Sequence, residues 1–308
     1  MPGPTFGPVP DHLRGGLGDP KKERQACYHL TNLNYHIGNA HNNYATGSWG
    51  YTVLRTVYTP ESDALFPAAI ERLKRYVHYW CHALRYPSYG ERGESKVIHS
   101  TERNDELYRR FYLDIIEDKA ALANLDRDGL VEYFRRWVAS LGLDPYYSGL
   151  PRFLCYLVID AESLASLAQI PDDPPPLRVA KDLEEKRAFL SAGSGAWVWL
   201  MDTRPFPAQE DPSEYAYEDW HQDSYCGWLR MSLRDIQISW FDRLIRGGPG
   251  KFSFFRQEEP EGSGIFYYTE MFVAPSRSQQ QPPPTAGDRS CSHRCPNFLL
   301  DSDQYKHS

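Results

Sequence analysis

The stretch from Trp49 to His82, WGYTVLRTVYTPESDALFPAAIERLKRYVHYWCH, leaves few choices of local structure. Its first part, Tyr51 to Tyr58, is rich in Tyr, Val and Thr, which suit a pleated, half-buried surface. Tyr51, Val53, Arg55 and Val57 share one face, and Thr52, Leu54, Thr56 and Tyr58 share the other. Neither face is purely polar, so the strand is expected to be covered on at least one side. A Thr-Pro pair ends it. The Thr59 hydroxyl can cap a helix, Pro60 fits the first helical position, and Glu61 and Asp63 suit the positive end of the helix dipole. Leu65, Ala69, Leu73, Tyr76, Val77 and Trp80 follow at spacings of three and four, an apolar stripe along a long helix. Pro67 is the residue that argues for a later start.

The same plan recurs. In RRFYLDIIED, Phe111, Leu113 and Ile115 alternate with Tyr112, Asp114 and Ile116, and Asp118 is placed to cap a helix. Helical residues run from Lys119 to Leu141, with a restart at Asp126 or Asp128. Leu130, Phe134, Trp137, Val138 and Leu141 form the stripe, and Gly142 stops it. A third unit begins with the almost continuously apolar Phe153 to Ile159, a strand buried on both faces, after which Asp160 caps a short helix that Pro171 ends. Later come a charged helix from Asp182 to Leu190, a strand from Ala196 to Met201, and GWLRMSLRDIQISWFDRLI passing from strand or turn into helix. Lys251–Arg256 and Ile265–Val273 suggest a closing hairpin. The fold expected is α+β: repeated strand-helix units with helices packed on one mainly antiparallel sheet, of ferredoxin-like type. A doubly wound parallel sheet is the competitor. Long loops, and no glycine-rich turn after any of these strands, count against it.

Outside these units the composition changes. Residues 1–26 are Pro- and Gly-rich and form an expected disordered arm; 27–274 form one α+β domain with a sub-boundary near 171–181; 275–308 form a Ser-, Gln- and Pro-rich tail. Tyr28 to Gly47 reads as a strand or an irregular lead-in. The net charge of −7 does not indicate a nucleic-acid partner, and no apolar run is long enough to suggest a membrane span. The N-terminal stretch lacks the apolar core of a secretory signal, so the cytoplasm or nucleus is expected, with the cysteines as thiols.

Chemistry is harder to find. His78 and His82 in HYWCH share a helix face and could chelate a metal, but position 79 is Tyr where a metalloprotease helix carries its Glu. The plainer reading is a helix-end pair beside the core, favoured by the C-terminal dipole. His29, His36 and His41 read as polar histidines of the lead-in. His221 and Asp223 in WHQD have the His-x-Asp spacing of non-haem iron ligands without a convincing distal His. CSHRC, Cys291 to Cys295, is too few ligands for zinc. No phosphate loop, nucleophile elbow or dinucleotide fingerprint is present, and no cofactor is strongly indicated. The acidic, aromatic stretch EDPSEYAYEDWHQDSYCGW is the best partner-binding segment. Tyr215, Tyr217, Trp220, Tyr225 and Trp228 supply anchors and its carboxylates would steer a basic partner.

The run from Trp49 to Val77, with FYLDIIEDKAAL, FLCYLVIDAESL and GWLRMSL, resembles a broad group of uncharacterised filamentous-fungal proteins over roughly Trp49 to Leu244. That resemblance implies a source and no activity, ligand or catalytic residue. The function expected is therefore a non-catalytic intracellular protein that binds a protein partner, or a second copy of itself, through an aromatic and acidic surface. The alternative is a small-molecule enzyme, metal-assisted and of fungal specialised metabolism, built from dispersed residues such as His78, His82, His221 and Asp223.

Overall fold

A computed structural model describes residues 4, 6–14, 23–37, 47–86, 97–144, 151–203, 227–239, 241, 256–258 and 265–268; for 23–25, 35–37, 183, 256–258 and 265–268 it describes the backbone alone. The stretch from Trp49 folds much as its residues dictate. Strand β1 (Thr52–Arg55) is buried along its length, and helix α2 (Pro60–Ala83) starts at Thr59 in a capping box. Thr59 Oγ1 accepts from the Ser62 amide at 3.1 Å, and Ser62 Oγ accepts from the Thr59 amide at 2.8 Å, so two orphan donors are satisfied. The helix runs through Pro67. Leu65 lies exposed, and Phe66 takes its place in the core.

The next two units also hold, with shorter strands. Helix α3 (Glu102–Arg109) precedes strand β2 (Asp114–Ile116), and α4 (Lys119–Leu122) starts on the Asp118 carboxylate. Asn124, at φ 72°, breaks the helical run, and Asp126 restarts it as α5 (Arg127–Ser140) by accepting from the Gly129 amide at 2.8 Å. Phe153 and Leu154 belong to a helical turn, α6 (Pro151–Leu154), so strand β3 (Cys155–Ile159) is shorter than expected. Asp160 caps α7 (Ala161–Gln169), and Asp182 caps α8 (Leu183–Leu190). Strands β4 (Trp197–Asp202) and β5 (Trp228–Ser232) continue the sheet, and β6 (Arg256–Glu258) pairs antiparallel with β7 (Ile265–Tyr268); β6 starts at the last residue of the expected strand Lys251–Arg256, whose other residues lie outside the described ones.

The chain is α+β, but its sheet corrects the expected pairing. The strand order is β2-β1-β3-β4-β5-β7-β6. β1–β2, β1–β3 and β5–β7 are parallel, whereas β3–β4, β4–β5 and β6–β7 are antiparallel, so the sheet is mixed and its order is not ferredoxin-like. The connections from β1 to β2 and from β2 to β3 each carry helices and are long enough for a parallel crossover. Helices also cover both faces of the sheet. Val53, Leu157, Val198 and Met231 point toward α1 (Glu23–Ile37), α2, α3 and α7; Leu54, Tyr156, Val158 and Trp199 point into the core that α4 and α5 close. Strands buried on both sides require that arrangement. The expected doubly wound competitor is thus realised locally, over β2-β1-β3.

Two further expectations change. Much of Tyr28–Gly47, read as strand or lead-in, belongs to α1, because Ala26, Leu30 and Leu33 form a helical stripe on the core. Within the expected N-terminal arm, Val9 and Leu13 are buried around a short turn at Asp11–Leu13. The sheet continues on both sides of the proline-rich 171–176 stretch. Among the described residues no helix is long and apolar enough to cross a membrane.

Candidate functional site at the carboxyl edge of β1 and β2

β1 and β2 lie side by side and parallel, yet the chain leaves them toward opposite faces of the sheet: into α2 from β1, into α4 from β2. Arg55, the last residue of β1, lies at this carboxyl edge. Its side chain is 8% exposed and its guanidinium collects partners from three elements. Nε donates to the Val57 carbonyl at 2.9 Å, Nη1 to Glu117 Oε1 at 3.0 Å, and Nη2 to Ser62 Oγ at 3.3 Å and to Asp63 Oδ1. Its Cζ stands 4.9 Å from the Tyr58 ring centroid and 4.6 Å from that of Phe66. Buried charge is tolerated here because the donors are matched.

The carboxylates facing that guanidinium look outward. The side chains of Asp63 and Glu117 are 55% and 47% exposed, and Asp118 is exposed beside them. Tyr58 donates its hydroxyl to the Arg55 carbonyl at 2.7 Å. Burial pushes its phenol up to about 12, opposed by Arg55 and reinforced by Glu117, Asp118 and Tyr133. Glu61, Asp63, Glu117 and Asp118 thus stand at this edge against Arg55 and Lys119, with partly exposed Tyr58 and Tyr133 between them. Such a rim can attract a cation and offer it aromatic faces.

Further along the same edge, Asp160 Oδ2 accepts from Trp199 Nε1 at 2.8 Å, and Arg230 pairs with Glu162 at 2.9 Å while lying 4.4 Å from the Trp197 ring centroid. Trp228, one of the expected partner anchors, is only 3% exposed; its ring centroid is 4.9 Å from that of Trp199, so its area is spent on the core. Tyr215, Tyr217, Trp220 and Tyr225, and likewise His221 and Asp223, lie outside the described residues, as do His41 and the CSHRC segment.

His78 and His82 do come together, at the other end of α2, with ring centroids 4.4 Å apart. His78 is exposed; His82 is buried and has Nε2 3.3 Å from Asp105 Oδ1, misaligned for a hydrogen bond. Burial lowers His82 to about 4, with His78 adding repulsion and Asp105 opposing; burial also lowers His78, again against Asp105. The described residues hold no group of three His, Cys, Asp or Glu arranged for a metal ion. His29 is buried on α1, and the side chain of His36 is not described. Cys27, Cys81 and Cys155 are buried thiols.

Arg55 and its carboxylates were missed as a site from sequence. Their signal was there: an arginine within an apolar strand face must find acids, and Asp63 and Glu117 lie in the helix start and the strand end nearest to it. Comparison with protein-family models found no match, and comparisons with curated proteins and with solved structures found none.

Proposed function

We propose that this protein is a non-catalytic binding protein that receives a Lys- or Arg-bearing segment of a protein partner at the carboxyl edge of β1 and β2. The observation that carries it is the pairing of Asp63 and Glu117 on one buried guanidinium, which holds two outward carboxylates in fixed positions beside Tyr58. Preorganised acids lose less side-chain entropy on meeting a cation than free ones. Asp118 and the Tyr133 ring extend the rim, and Arg55 is already saturated, so it offers little to an incoming anion. This keeps the acidic and aromatic chemistry expected of residues 211–228 but builds it from other residues.

The test is anisotropy titration of the full chain with a fluorescein-labelled peptide of alternating lysine and arginine, at low salt and near 0.15 M. Glu117→Gln combined with Asp118→Asn is expected to weaken binding about tenfold, the loss of roughly 1.4 kcal/mol. Asp172→Asn combined with Asp173→Asn removes equal charge elsewhere and is expected to change it less than twofold. Equal losses from both doubles would reduce the interaction to net charge and sink the site.

A further inference from the structure

The outer side of β2 adds a second kind of recognition surface beside the acidic rim. Among the described residues β2 is the end strand of the sheet, and it pairs with β1 alone. The Asp114 amide donates to the Tyr51 carbonyl at 3.1 Å, and the register sets Asp114 against Thr52 and Ile116 against Leu54. In a parallel pair alternate residues bond to the same neighbour. The backbone groups of Asp114 and Ile116 therefore serve β1, and those of Ile115 point away from it. A strand edge of this kind is a template for another extended chain.

The side chains along that edge define what fits there. Ile115 stands beside Val53 in the register, so it points to the α2 side of the sheet, yet it is 37% exposed. Two residues on, Glu117 reaches Arg55 Nη1 at 3.0 Å with about half of its side chain exposed. A strand laid beside β2 meets an apolar residue at Ile115 and a carboxylate at Glu117. The rim stays negative after its opposing charges are set against it. Glu61, Asp63, Glu117 and Asp118 face Arg55, Lys119 and about half a positive charge from the start of α2.

We propose that the basic segment binds as an added β-strand, antiparallel to β2, with an apolar residue opposite Ile115 and a Lys or Arg two positions before it opposite Glu117. This rests on the carboxyl-edge reading and adds backbone pairing to it. The antiparallel sense lets one residue of the segment exchange both hydrogen bonds with Ile115.

The probe is fluorescein-labelled Lys-Thr-Lys-Thr-Val-Thr-Lys, titrated by anisotropy against the full chain beside two versions that keep every side chain. Methylating the valine nitrogen removes the amide aimed at Ile115 and is expected to weaken binding about tenfold. Methylating the nitrogen of the threonine before it, which points away, should change binding less than about twofold. Exchange of the Ile115 amide, read by NMR, should slow with the parent peptide. Ile115→Pro removes that amide from an edge strand and should weaken the parent about tenfold. Thermal unfolding checks that this variant folds, and the methylated peptides decide without it. Equal effects of the two methylations, or the reverse order, would overturn the added strand; a loss kept in Glu117→Gln with Asp118→Asn would then leave the carboxyl-edge site standing. No binding of the parent peptide would overturn both. Sedimentation of the chain alone as a dimer that Ile115→Pro breaks would give the edge to a second copy and overturn the added strand as well.

Discussion

The carboxyl and amino edges of the β2-β1-β3 part of the sheet treat buried arginines differently. At the carboxyl edge, Arg55 has a partner for each guanidinium nitrogen. At the opposite edge, Arg152 sits beside the start of β2 with its side chain 2% exposed, and it is far less well matched. Its Nη2 donates to the Tyr112 carbonyl at 3.2 Å, its Nη1 stands 3.7 Å from Asp114 Oδ2, and its Nε and Nη1 lack hydrogen-bond partners among the described residues. Burial lowers its affinity for its proton, opposed by Asp114 and Tyr112. A buried ion stabilises a fold only when its hydrogen bonds are complete. The carboxyl edge therefore gains from its arginine, and the amino edge mainly tolerates one.

The strongest challenge to that contrast is at Gly50, also at the amino edge. It has φ 127°, and a Cβ there would lie 2.1 Å from the Tyr112 carbonyl oxygen, the same oxygen that receives Arg152. Gly50→Ala is expected to cost about 4 kcal/mol in urea unfolding, since both the conformation and the contact forbid it. A cost under about 1 kcal/mol would mean that the amino edge is looser than its geometry indicates.

A pair of substitutions tests the arginines directly. Arg55→Met should lower stability by about 2 kcal/mol, a figure kept modest because its acids are half exposed and can return to water. Arg152→Met should cost less than about 1 kcal/mol or stabilise. If Arg152→Met proves the more damaging, the contrast is reversed.

The smallest effect depends on pH. The folded chain holds His82 near 4, against 6.5 for a free side chain. Between those values the unfolded state binds a proton that the folded state refuses, so this histidine's contribution to stability falls as pH drops from about 6.5 toward 4. His82→Leu should remove up to about 2 kcal/mol of the stability difference between pH 7 and pH 4.5. Urea midpoints of both proteins at the two pH values measure it; identical slopes would place His82 in contact with water.

Local signals carried much of the fold. Thr59, Asp118, Asp126, Asp160 and Asp182 each start a helix where their short polar side chains can reach an orphan amide. The apolar run of β3 announced a strand covered on both sides, since no single-faced sheet can satisfy it. The lead-in around Leu30 failed because its helical stripe is short and its Asn and His content resembles a loop. Pairing direction was not legible, because one strand's residues suit parallel and antiparallel neighbours alike and the crossover decides between them.

The sequence by itself determined where most of the helices start and that β3 loses both faces to the core. Those properties depend on neighbours within a few residues. The tertiary structure alone decided the mixed strand order, the meeting of Arg55 with Glu117 across 62 positions, and the joining of His12 to Glu102 across 90. Such encounters depend on which elements lie side by side, and no local preference encodes that.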